Sequence, residues 1–448
     1  MINSKSKLIN RTSLYIFYGL LAYMPLHVFV STVIGANLGQ LTVLKILKDV
    51  LLMFGFCLVF LNNLNSAWFK GFITSKLTLL ILAYATLTGV LAIIRQTDQD
   101  AEILGIVYNL RFLLFFLYGW LLCYIFPVKQ IRHNSIKIVL GVGIIVVSFG
   151  IVQYLFLPND ALSKIGFVRA NGVLPAFFID DKPNLERVMS TIRDPNSLGS
   201  YLIIVTSLVL STYLYTKNKR NKKLLIIYGA LSMLCMYYTF SRSAWLGLFF
   251  TGATFTVLLF KNNRKNITKA IRPAVMIGGI LFLVITGLLF LTKDTFFVRN
   301  VVFHSDQKTI QEDPNELRIR FIKESIGDIK QNPLGRGPGT AGLASVKNQK
   351  QGVRLNENYY LQITTEVGIA GVLIFLIIVF CVVNRIYAIN QNDVFVFAIL
   401  ASFVGLSLTN MLVHIWANEA VAYTWWGLAG LYMVSKTKNN NNNQALDI

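Results

Sequence analysis

Hydrophobic residues in this chain gather into long unbroken runs separated by short polar connections. Twelve such runs cover residues 13–34, 44–61, 77–94, 103–126, 137–157, 198–215, 224–240, 244–260, 273–292, 358–383, 394–412 and 420–434. A helix rising about 1.5 Å per residue needs about 20 residues to cross a hydrocarbon core of about 30 Å. Backbone polar groups in lipid must be satisfied within the segment, which selects helices for runs of this length. The pattern predicts an all-α polytopic membrane protein with about 12 transmembrane helices in a single integral membrane domain over 1–448. The first run follows Lys5, Lys7 and Arg11, but it is long for a signal-peptide core and no small-x-small cleavage site follows it. It is read as a retained helix. Two polar segments, 158–197 and 293–357, are too long to be simple turns; the second separates the ninth run from the tenth.

Composition agrees with this class, and charge orients it. The 448 residues are 54% hydrophobic, with a mean hydropathy of +0.57. A net charge of +21 raises the question of a polyanionic partner. Most of it is explained by topology: 21 Lys and Arg fall on alternate connections and the termini, counting Lys137 at the edge of its run, against 2 on the four short connections of the other side. That asymmetry follows the positive-inside rule, with both termini cytoplasmic and the two long polar segments external. Nucleic acid is not needed as a partner, whereas membrane lipids are. Residues 435–448, with the run "NNNNN", read as a disordered cytoplasmic tail. Cys57, Cys123, Cys235 and Cys381 all lie within apolar runs and read as packing residues. His27, His133, His304 and His414 are scattered without metal-ligand spacing, so no metal or other cofactor is expected, and His27 reads as a core residue.

Chemistry is expected on the long polar segments, which rigid scaffolds commonly use for function. In "DPNELRIRFIKESIGDIKQNPLGRGPG", Asp313 suits an N-cap, Pro314 the first helical position and Glu316 the capping-box place. Ile319, Ile322, Ile326 and Ile329 then recur at helical spacing, predicting an amphipathic helix over about 314–331 at the outer interface. The other reading is a helix that merely covers the bundle. The same start signal stands in "RVMSTIRDPNSLGSYL", where Asp194 and Pro195 open a span beside Arg187 and Arg193, with Asn196 next. Helix N-termini suit anions, and arginine grips phosphate through a planar, permanently charged fork. For one arginine near a membrane, snorkelling is an equal alternative. Arg242, in the tight turn "FSRSAWLGL", and Arg318, at the start of the amphipathic helix, point to the same side. Arg111 and Glu366 lie deep within spans, where charges face a cavity or each other, so a pair between them is one possibility. In "ENYYLQITTEVGIAGVLIFL", Glu357, Asn358 and Tyr360 stand where the large segment re-enters the membrane. Glu357 is placed to accept a proton from an attacking hydroxyl. Alternatively it only precedes the span, with the tyrosines in the interfacial aromatic belt.

Taken in order, Arg187, "DPN" at Asp194–Asn196, "SRSAWLGL", Arg318 ahead of "NPLGRGPG", and "ENYYLQ…EVGIAGVL" resemble the O-antigen ligase and O-antigen polymerase superfamily of bacterial envelope glycosyltransferases. The resemblance covers about 185–380 by motif and the whole chain by helix count. It implies transfer of a glycan from an undecaprenyl-diphosphate-linked donor to a glycan acceptor hydroxyl, at the outer leaflet of the bacterial cytoplasmic membrane. Neither a nucleotide sugar nor a metal is implied. A flippase and a chain-length regulator are further expected partners. Arg187, Arg242 and Arg318 match the family's diphosphate-holding arginines, and Arg193, Asn196, Asn358, Tyr360, Arg111 and Glu366 are taken as supporting residues. Ligases of the family usually read His-Asn where this chain has Glu357-Asn358. That departure favours a polysaccharide polymerase, with Glu357 catalytic, over a ligase acting on a lipid core or protein. A polysaccharide flippase or secondary transporter is the alternative of another class. No repeat relates 1–220 to 221–448, as such transporters usually show.

Overall fold

The computed structural model describes residues 4–179, 182–261, 314–389, 391 and 393–435. The run expected over 273–292, the segment 293–313 with Asp313, and all of the tail beyond Ser435 lie outside the described residues. Helices α1 (Ser4–Tyr23), α2 (His27–Leu38), α3 (Leu41–Asn62), α4 (Ala67–Ile73), α5 (Lys76–Arg95), α6 (Gln99–Ile125) and α7 (Val128–Phe156) come first. A hairpin of β1 (Phe177–Ile179) and β2 (Lys182–Arg187) follows, then α8 (Pro195–Tyr215), α9 (Lys219–Tyr238) and α10 (Arg242–Lys261). The chain closes with α11 (Pro314–Gln331), α12 (Tyr359–Ile389), α13 (Val394–Thr409) and α14 (Glu419–Leu431).

Every expected apolar run within the described residues falls on helix, and seven helical segments are long and apolar enough to cross a membrane. Their outward faces are what a lipid-solvated protein requires. Ile93, Phe156 and Phe380 are 76%, 75% and 69% exposed, which water would oppose along so many helices. This is a nearly all-α polytopic membrane protein. The short antiparallel hairpin departs from the all-helical expectation; its register sets Phe177 opposite Arg187. The first run is also interrupted, because Pro25 lacks an N–H and a 3₁₀ turn at Met24–Leu26 replaces α-helix there. The last two runs are shortened at their ends: α13 stops at Thr409 within the run expected over 394–412, and α14 stops at Leu431 within that expected over 420–434.

The chain divides into two compact units. The first comprises Met1–Ile145, Phe321–Gln391 and Thr409–Ile448. Its centre is the pair α6 and α14, brought together by small residues. A Cβ on Gly430 would meet the backbone of Phe116, and one on Gly427 would meet the Phe115 ring. Aromatic rings fill the space around that contact, with Phe112 at 5.2 Å and Phe116 at 5.8 Å from Trp426, centroid to centroid. The second unit comprises Val146–Arg320 and Asn392–Leu408. Here Gly199 on α8 and Gly405 on α13 make the close approaches, to Ala244 and to Gly247 of α10 respectively.

Candidate functional site

Arg187 ends β2 in the second unit, and its guanidinium is fixed on two sides. Its Nε donates to Thr239 O at 3.0 Å, and its Nη2 donates to Asn196 Oδ1 at 2.8 Å. The Val188 N–H bonds Tyr238 O at 2.9 Å, so the strand end is sewn to the turn between α9 and α10. Ser190, in the left-handed region at φ 53°, is anchored twice. Its N–H reaches Gln153 Oε1 at 2.8 Å and its hydroxyl reaches Val146 O at 2.6 Å. The α9–α10 turn delivers Arg242, the first residue of α10. Arg318 stands one turn into α11.

Arg242 and Arg318 both lie close enough to act on Arg187. Burial pulls the Arg187 guanidinium down to about 10; the Asp194 carboxylate opposes this, while Arg318 and Arg242 depress it further. Arg187 is still cationic at neutral pH. Mutual repulsion of this kind is relieved by an anion, and a phosphate between planar guanidinium forks is the strongest natural fit. The expected anion site at the α8 terminus takes a different form. Asp194 Oδ1 accepts the Ser197 N–H at 2.9 Å and Asp194 Oδ2 accepts the Ser197 hydroxyl at 2.6 Å, while Pro195 has no N–H to give. The helix end already holds its own carboxylate, so its free N–H groups are not open to a second anion. Arg193 sits half-buried in the bend before Asp194 and is not among the groups acting on Arg187.

In the first unit, Asn358 caps α12, its Oδ1 accepting the Tyr360 N–H at 2.9 Å and the Leu361 N–H at 3.1 Å. Tyr360 therefore serves the cap through its backbone. Glu357 is half-buried immediately before that cap. On α11, Ile319, Ile322 and Ile326 are 52%, 39% and 42% exposed, so these isoleucines are not buried in the protein.

The Arg111–Glu366 pair is corrected. Arg111 Nη1 meets Glu419 Oε1 at 3.1 Å and its Nη2 donates to Ala417 O at 2.8 Å. Lys48 joins through Asp49 at 3.2 Å and Glu419 at 3.6 Å, and Tyr423 donates to Asp49 at 3.0 Å. Two cations and two carboxylates balance inside the bundle, and Arg111 also satisfies the Ala417 carbonyl ahead of α14. Lys48 and Asp49 were legible as charges within an apolar run; nothing in the sequence pointed from Arg111 to Glu419, more than 300 residues away. Glu366 instead accepts from Asn109 Nδ2 at 2.7 Å. His27 is buried against Tyr23, its Nδ1 at 3.1 Å from the phenol oxygen. Among the described residues, no three His, Cys, Asp or Glu side chains are grouped so that they could hold a metal ion.

The family model described as O-antigen ligase matches residues 227–376, a stretch that contains Arg242, Arg318, Glu357 and Glu366. No curated protein matches the chain. Arg242, Arg318 and the capped approach to α12 lie in that stretch, and residues 227–376 of the chain are thus similar to the O-antigen ligase family.

Proposed function

We propose that this protein is an envelope polysaccharide polymerase, transferring a glycan from an undecaprenyl-diphosphate carrier to a sugar hydroxyl at the outer leaflet. The observation that carries the reading is that Arg242 and Arg318, from two helix starts, both lie within electrostatic reach of Arg187 at a strand end. A diphosphate is already a good leaving group, so catalysis consists mainly of stabilising the charge it develops. The acceptor oxygen forms a bond to the anomeric carbon as the bond from that carbon to the diphosphate oxygen breaks. The bonding electrons stay with the diphosphate, held by the arginines, and the hydroxyl proton passes to Glu357. A ligase is the second reading, favoured by the description of the matching family model. Glu357 in place of the ligase histidine favours the polymerase. The reading calls for a flippase to deliver the donor and a chain-length regulator to limit the product.

Residence in the cytoplasmic membrane of a bacterium, with both termini inside, belongs to the same proposal. Exposed positions give its test. Val346, 57% exposed, precedes Glu357 in the proposed external segment, and exposed Asn221 stands in the basic start of α9. An impermeant thiol reagent applied to intact cells is expected to label Val346→Cys and not Asn221→Cys, in a background lacking Cys57. The reverse pattern would put the arginines on the wrong side for a donor at the outer leaflet.

A further inference from the structure

Helix α12 is broken at Gly368, where φ is 76° and ψ is −179°. The break removes backbone partners in the middle of a membrane-crossing helix, where each orphaned group is costly. The loop between α11 and α12 supplies them. Arg336 N–H bonds Thr365 O at 2.8 Å, Gly337 N–H bonds Glu366 O at 3.0 Å, and Ile369 N–H bonds Pro333 O at 2.9 Å. Glycine is required where the strands of chain meet: a Cβ on Gly335 would stand 2.6 Å from Glu366 O, and one on Gly368 would stand 2.5 Å from the Leu334 carbonyl carbon. Gly339 lies equally tight against Ala101 at the start of α6.

The Glu366 carboxylate closes this joint. It is fully buried, and Oε1 accepts the Gly339 N–H at 3.0 Å and the Ala341 N–H at 3.4 Å. Its Oε2 accepts Asn109 Nδ2 at 2.7 Å, while Asn109 Oδ1 has no hydrogen-bond partner among the described residues. The loop continues into the approach to Glu357. The Gly342 N–H bonds Arg354 O at 2.8 Å, Arg354 N–H bonds Ser345 Oγ at 3.0 Å, and Asn356 Nδ2 reaches Thr365 Oγ1 at 3.4 Å. On its other flank the loop holds Arg336 against Asp328 of α11 at 2.7 Å.

We propose that Glu366 is a positioning residue: its buried carboxylate locks the 333–341 loop into the break of α12 and so fixes the segment that presents Glu357. The functional half of this statement rests on the catalytic role proposed for Glu357; the lock itself does not. A glutamine preserves the lock. Its Oε1 still accepts from Gly339 and Ala341, and its Nε2 donates to Asn109 once that amide turns its unpartnered Oδ1 inward. An alanine leaves two backbone donors and an amide without an acceptor.

Hydrogen exchange followed by mass spectrometry, on the full chain in lipid nanodiscs, reads the lock without relying on turnover. Glu366→Ala is expected to raise exchange at 337–342 and 354–359 by at least about tenfold while α6 and α14 keep wild-type protection. Turnover of a lipid-linked glycan then falls by about 10²-fold through kcat, with donor KM unchanged, since displacement of a catalytic group costs about that much. Glu366→Gln restores both protection and turnover. If Glu366→Ala does not accumulate, Glu366→Asp, one methylene short of its donors, is expected to show the same local loosening in weaker form. Wild-type protection in the alanine and aspartate variants would overturn the lock. Full protection with lost turnover in Glu366→Gln would overturn the positioning role by making the charge itself part of the chemistry. Should Glu357→Gln prove fully active, the exchange pattern still decides the lock, so the two ideas fail separately.

Discussion

Arg187→Lys is expected to reach the membrane at wild-type abundance and to lose about 10²-fold in glycan transfer, in the range seen when one donor to a developing oxyanion is removed. The guanidinium is already oriented: Nε is committed to Thr239 O and one Nη2 hydrogen to Asn196 Oδ1, leaving three of its five N–H donors in a plane that these two bonds fix. A lysine ammonium sits at one point and cannot hold Thr239, Asn196 and a phosphate together. It also lacks the plane that allows two parallel bonds to phosphate oxygens. Stability should change little, because Arg187 is half-buried and a lysine keeps its positive charge beside Asp194. Arg220→Lys, on the exposed start of α9, serves as the control with unchanged transfer. Equal activity of Arg187→Lys and wild type, measured as polymer per milligram of membrane protein, would reduce Arg187 to a structural tie between hairpin and helix turn.

The second large effect is expected at Glu357. Glu357→Gln keeps size and hydrogen bonding but cannot accept a proton, and loss of a general base typically costs about 10²–10⁴-fold. Donor binding by the arginines is untouched, so cells carrying this variant are expected to accumulate carrier-linked repeat units while long polymer disappears. The cap at Asn358 is independent of the Glu357 side chain, so α12 should remain intact. Separating the two residues in this way matters. Glu357→Ala alone would not distinguish lost chemistry from a loosened loop end, whereas the glutamine variant does. Wild-type polymer length and amount from Glu357→Gln would mean that Glu357 only precedes the helix cap.

Much of this was legible before any coordinates, and the reasons are physical. Long apolar runs announce helices because lipid leaves the backbone no other choice, and Asp194–Pro195 and Pro314 mark real helix starts. The candidate arginines stood out because charge is rare in such a chain. What the sequence did not disclose are contacts set by tertiary packing. Arg111 finds Glu419 and not Glu366, since a buried cation is paired by whichever carboxylate the fold brings within reach. The break in α12 was hidden because Gly368 lies in an apolar run, and one glycine there is compatible with continuous helix. Its positive φ appears only with the 333–341 loop in place. "GRGPG" was readable as a tight loop, but not as one seated inside a helix. The Thr239 carbonyl that orients Arg187 is backbone, and no side-chain motif signals it.

The central claim, that three arginines serve a glycosyl transfer from a lipid diphosphate, is tested most directly with purified protein. Wild-type protein in nanodiscs would receive an undecaprenyl-diphosphate-linked oligosaccharide as the only substrate, in metal-free buffer with no nucleotide sugar. Mass spectrometry of the products would follow glycan length and released undecaprenyl diphosphate together. The expected result is glycans in whole multiples of the starting oligosaccharide, one undecaprenyl diphosphate released for each joining event, and neither product from Arg187→Lys above about a hundredth of the wild-type rate. Donor recovered chemically unchanged, or moved intact across the bilayer of a proteoliposome, would contradict it and identify a transporter instead.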